Sequence, residues 1–210
     1  MELTDFDKEL LEMTTIPEVV LQKLKDMFGL PIVQYFGYDD DEIDYVPYDG
    51  VCVDFGEAKA SGGELRSWVS QLNAFFMQEN LPYAAFCSEY FIQLSEGNDC
   101  IAVVKREDAF SPIRAAGTAG FDAGISNNDI IDTVIRWQDQ YGFEVRVIYA
   151  DMQELEFEFV KKPQDFTAMA QALAEEIHNF SPDLVERLEN GEDDLVTLMT
   201  DENTFSLYWE

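Results

Sequence analysis

Histidine is nearly absent from this chain and cations are scarce. One His and 13 Lys+Arg stand against 43 Asp+Glu, a formal net charge of −30 over 210 residues. A single imidazole rules out His-rich metal sites and leaves little for acid–base chemistry near neutral pH. Runs of about 18 apolar residues are missing as well, so no membrane-spanning helix is predicted. The start, Met1-Glu-Leu-Thr-Asp-Phe-Asp7, lacks the basic and apolar stretches of a secretory signal, which predicts a cytoplasmic protein. Cysteine is limited to Cys52, Cys87 and Cys100, odd in number, without CxxC spacing and set in apolar stretches. That pattern predicts buried reduced thiols rather than disulfides or zinc. Phosphate loops are also lacking: Gly117, Gly120 and Gly124 fit neither GxGxxG nor the Walker pattern, and Ser61-Gly-Gly has no Lys to meet a phosphate.

What is abundant is apolar and acidic. With 47% hydrophobic residues, 16 Phe and 9 Tyr, the chain has the surface to form a core despite its charge. The charge itself exceeds the roughly 2–8 units that keep a small domain soluble. Its field attracts cations and basic proteins and repels nucleic acid and anionic membranes.

Periodicity predicts an α+β fold, with mixed or antiparallel sheets and packed amphipathic helices. Residues 4–28 read as one or two helices, Pro17 opening the second in its first turn and Gly29 ending it. Residues 30–55 read as extended. Ser61 and Glu64 form a capping box ahead of a helix carrying Leu65, Trp68, Val69, Leu72, Phe75 and Phe76. Tyr83–Cys87, Tyr90–Leu94 and Cys100–Lys105 read as a three-strand meander, with a turn at Glu96-Gly-Asn-Asp99. Ser126 and Asp129 cap a helix bearing Ile130, Ile131, Val134 and Trp137, which Gly142 stops. Strands at Phe143–Tyr149 and Glu154–Val160 follow, then a helix over about Asp165–Asn179. Ser181 is read as the cap of a further helix beginning at Pro182, Asp193–Thr200 as a short helix, and Thr204–Trp209 as a final strand. The chain forms one unit over 1–210 or two lobes, 1–105 and 106–210.

Three acidic clusters are candidate partner-binding patches. The first is Asp39, Asp40, Asp41, Glu42 and Asp44 between two extended segments. It is not an EF-hand, because counting from Asp39 the sixth and twelfth positions are Asp44 and Gly50 instead of Gly and Glu. The second is Glu154, Glu156 and Glu158, which period-2 alternation places on one strand face opposite Leu155, Phe157 and Phe159. Arg146 on the preceding strand is a cross-strand partner for one of them, and the simpler reading is a solvated face. The third is Glu192, Asp193 and Asp194. His178, at the end of an amphipathic helix, reads as a complement to the helix dipole, since no nucleophile motif surrounds it. No catalytic residue, metal ligand or cofactor is expected, and the oligomeric state stays open.

The C-terminal half, from about residue 106 to 210, resembles the bacterial domain-of-unknown-function family 4253. The resemblance rests on Asn128-Asp-Ile-Ile-Asp132 with Arg136-Trp137, Tyr141-Gly-Phe143, Phe180-Ser-Pro-Asp183 and Leu207-Tyr-Trp-Glu210. Ser181 stands where the family often has Cys, and the chain closes on Tyr-Trp-Glu rather than Trp-Trp-Asp. The resemblance implies a compact α+β domain from a bacterium and carries no catalytic residues to these positions. Small acidic proteins of this kind look like the immunity partners of contact-delivered toxins, many of them basic nucleases. The expected function is therefore neutralisation of a basic toxin domain by direct binding, not catalysis. The alternatives are a metal-dependent enzyme using carboxylates and an acidic protein adapted to high salt.

Overall fold

The computed structural model describes residues 2–39, 44–55, 62–90 and 98–210. The fold is α+β and divides into two compact units, Met1–Gly117 and Thr118–Glu210. Ser61, the cap read from sequence, and most of the segment read as Tyr90–Leu94 lie outside the described residues.

The first unit opens with α1, Asp5–Met13, and α2, Glu18–Phe28. Thr4 and Asp7 form a reciprocal capping box on α1, and Gly29, at φ 63°, supplies the left-handed residue that ends α2. Pro17 sits just before α2, at its N-cap. The strands β1, Ile32–Asp39, β2, Asp44–Asp54, β3, Tyr83–Tyr90, and β4, Asn98–Lys105, run antiparallel in the order β1-β2-β4-β3. Tyr83–Tyr90 is one strand, where the sequence pattern breaks it after Cys87. It pairs antiparallel with β4, which lies between it and β2. Val51, Cys52 and Val53 on β2 and Cys100–Val104 on β4 have no exposure, so both faces of these central strands are shielded.

Helix α3, Gly62–Gln78, packs on β3, and its Asn73 amide brackets Ala85, donating to the carbonyl at 2.8 Å and accepting from the N–H at 3.0 Å. Helix α4, Ser111–Ala116, has no counterpart in the sequence reading; six residues are too few for a period to register. Its end lies hard against β1. A Cβ on Gly37 would stand 1.9 Å from the Ala115 carbonyl oxygen, and one on Gly117 2.0 Å from that of Tyr38. Only glycine permits this backbone approach.

The second unit holds α5, Asn127–Tyr141, capped by Ser126 with Asp129 and ended by Gly142 at φ 69°. Strands β5, Glu144–Ala150, β6, Glu154–Lys161, and β7, Thr204–Tyr208, are antiparallel in that order. Helix α6 spans Phe166–Phe180 and α7 Pro182–Glu186; α8, Glu192–Thr197, runs into a π-helical turn, Leu198–Glu202. The core is aromatic: Phe157 stacks on Phe205 at 4.8 Å, and Phe143, Phe159 and Phe166 meet edge to face. Trp137 crosses to Phe180 and Phe205, which ties α5 and α6 to the inner sheet face. Ser181 stands at the N-cap of α7, as expected, but its side chain makes no capping bond there. Its buried hydroxyl accepts the Tyr208 N–H at 2.8 Å and donates to the Tyr208 carbonyl at 2.7 Å, pinning the outer edge of β7.

Candidate functional site

Alternation along β6 buries Leu155, Phe157 and Phe159 and turns Glu154, Glu156, Glu158 and an exposed Val160 to the other face. Register then supplies partners. Arg146, directly across from Glu158, donates its Nε to that carboxylate at 2.6 Å, with a second contact from the same guanidinium. Arg187, just beyond α7, approaches Glu154 at 3.6 Å and places its guanidinium carbon over the Tyr208 ring, 3.3 Å from its centre. The ladder foreseen as three like charges is thus a half-buried strip carrying two arginines.

Glu192, Asp193 and Asp194 form the first turn of α8, where negative charge meets the helix N-terminus favourably. Glu192 also contacts His178 Nδ1 at 2.6 Å, joining α8 to α6. The Asn190 backbone N–H and side-chain amide hold Asp194 below the ordinary aspartate range. Asp193 is exposed. This cluster belongs to the helical layer, whereas the β6 carboxylates face away from that layer. In the first unit, Asp39 and Asp44 face each other as the last pair of the β1–β2 ladder, beside the edge-to-face rings of Tyr38 and Tyr45. Asp40, Asp41 and Glu42 lie outside the described residues.

Two features escaped the sequence reading. Lys25 and Asp7 form a buried ion pair between α2 and α1, at 7% and 3% exposure. Glu176 on α6 accepts Trp137 Nε1 at 2.8 Å, Gln140 Nε2 at 2.8 Å and the Tyr141 hydroxyl at 2.6 Å, with Arg136 at 3.9 Å. Burial pushes this carboxyl up, but the donors outweigh it and hold it below the usual glutamate value. The reciprocal effect, burial plus the Glu176 carboxylate, pushes Tyr141 up to about 12. The Trp137-x-x-Gln140-Tyr141 spacing on one helix face was the available signal.

The thiols are all buried, and burial, with Cys52 beside it, pushes the Cys100 thiol well up, away from nucleophilic chemistry. Among the described residues no group of three or more His, Cys, Asp or Glu side chains is placed to hold a metal ion, and no helix is long and apolar enough to cross a membrane.

Cation supply separates the two units. The second has 21 Asp+Glu against five Lys+Arg, hence −16; the first has 22 against eight, hence −14. All five cations of the second unit are engaged within it. Arg136, Arg146, Lys161 and Arg187 pair with Glu176, Glu158, Glu144 and Glu154. Lys162 donates to the Met199 carbonyl at 2.7 Å, over the rings of Phe159 and Phe166.

A family model described as Domain of unknown function (DUF4253) matches residues 100–210, all of the second unit together with α4 and most of β4. Comparison with curated proteins and with solved structures gives no match.

Proposed function

The chain belongs to the DUF4253 family, and from that premise we propose that it is a cytoplasmic binding protein that neutralises a basic toxin domain by direct contact. The observation that carries this reading is the cation count of the second unit. Its five positive side chains are committed to holding the unit together, and a formal charge of −16 remains after each has been counted. A cationic partner relieves that field, and steering speeds its capture. A nuclease is the type case, because its positive cleft is where nucleic acid would otherwise bind.

The surfaces assigned to contact are Asp39–Asp44, Glu154/Glu156/Glu158 and Glu192–Asp194. Reversing Glu158 or Glu154 also breaks its contact with Arg146 or Arg187, so Asp193→Lys is the cleaner probe. Co-expression with basic toxin domains tests the reading. Growth rescue is expected, with a complex that dissociates as salt shortens the Debye length below about 10 Å. Absence of both rescue and a salt-sensitive complex, with Asp193→Lys and the triple β6 reversal without effect, refutes it.

The near-even division of charge, −14 and −16, favours a second reading, adaptation of the whole surface to high salt. That reading requires unfolding as salt is dialysed away, followed by circular dichroism; a fold that persists at low ionic strength eliminates it.

A further inference from the structure

A small cleft opens in the first unit where β2 enters the sheet and β4 leaves it. Gly50 makes the approach possible: a Cβ there would stand 2.8 Å from Val104 Cγ1 and 2.9 Å from the Val103 carbonyl oxygen. The cleft measures about 180 Å³ and is lined by Tyr48, Asp49, Lys105, Glu107, Ser111 and Arg114. Three of these groups already hold partners within the unit. Asp49 accepts the Thr15 N–H at 2.6 Å and its hydroxyl at 2.7 Å. Arg114 holds Asp108 through two bonds of 2.8 Å, and Ser111 Oγ accepts the Glu107 and Asp108 N–H groups at 2.9 and 3.2 Å.

The other three, the Lys105 ammonium, the Glu107 carboxylate and the Tyr48 hydroxyl, make no hydrogen bond among the described residues. In a chain with 13 cations for 43 acids, a lysine left over in a cleft is conspicuous. One cation, one anion and one neutral hydroxyl around a common space suit a ligand that carries both charges. At about 180 Å³ the cleft lies below the usual range of drug-sized pockets, which suits a small ligand.

We propose that this cleft binds a small zwitterion of the α-amino-acid type, its carboxylate on Lys105 and the Tyr48 hydroxyl and its ammonium on Glu107. The site is independent of the toxin-binding reading and leaves the acidic surfaces of the second unit untouched.

Ligand-observed NMR on the full chain tests it, with L-alanine as probe and acetate and methylammonium as single-charge controls. L-alanine is expected to bind, each control to bind about ten-fold more weakly, and Lys105→Met and Glu107→Gln each to weaken L-alanine by about ten-fold, a loss near 1.4 kcal/mol. Both residues are exposed, and circular dichroism verifies that each variant folds; if one does not, the other carries the test. No L-alanine signal up to about 10 mM, equal binding of acetate, or unchanged affinity in the folded variants overturns the assignment.

Discussion

Replacing Asp7 by Leu isolates the Lys25 ammonium inside the first unit. Lys25 is 7% exposed, and Asp7 is its acceptor among the described residues, so removal leaves a buried charge with nothing to answer it. Breaking a buried pair from one side costs about 3–5 kcal/mol. The α1 capping box, in which Asp7 accepts the Thr4 N–H, is lost as well, at about 1 kcal/mol. Lys25→Met is milder, because the stranded Asp7 carboxylate keeps the Thr4 N–H and hydroxyl as donors. The double replacement, Asp7→Leu with Lys25→Met, removes both charges and is expected to recover most of the loss. Urea unfolding followed by far-ultraviolet circular dichroism reads the order. At a slope of about 2 kcal/mol per molar, Asp7→Leu lowers the midpoint by about 2–3 M. A cost below about 1 kcal/mol, or a double variant as poor as the sum of the singles, refutes the reasoning.

Gly37→Ala drives a methyl group into the Ala115 carbonyl and is expected to destabilise by about 3 kcal/mol or more, whereas Gly63→Ala, with nothing within 4 Å, is expected to stabilise α3 by about 0.5–1 kcal/mol. Thermal unfolding of the two variants distinguishes them. Ser181→Ala strands the buried N–H and carbonyl of Tyr208, so a loss of about 1–3 kcal/mol and faster hydrogen exchange at that amide are expected. Acid stability carries its own sign. Glu176 and Asp7 have folded values below their ordinary 4.5 and 3.8, because donors outweigh burial, so their contribution is complete above those values and is lost as pH falls through the lower folded ones. Glu176→Gln is expected to flatten the stability profile below about pH 4.5, measured by urea midpoints across pH.

Local signals with a fixed spacing were legible. Ser126 and Asp129, Gly142 and the alternation of Glu154–Phe159 each act through neighbours in the chain, and each lies where the pattern put it. Ser181 shows where such reasoning stops: Ser-Pro at a helix start is a capping signal, but a strand edge 27 residues on competes for the hydroxyl and wins. Arg146 was legible as a partner because it sits one strand back, while Arg187 reaches Glu154 through a fold that no spacing encodes. The same holds for Asp7 and Lys25, 18 residues apart on two helices. Helix α4 was invisible because a single turn and a half gives no period to detect.

The commitment of every lysine in the second unit bears on how the protein is handled at the bench. Amine-directed tethers and dyes find two side chains there, Lys161 and Lys162. Acylating the first breaks its bond to Glu144, and acylating the second unties β6 from the turn at Met199. Attachment through a single exposed carboxylate, such as that of Asp193, leaves both contacts in place and keeps the immobilised molecule in its working shape.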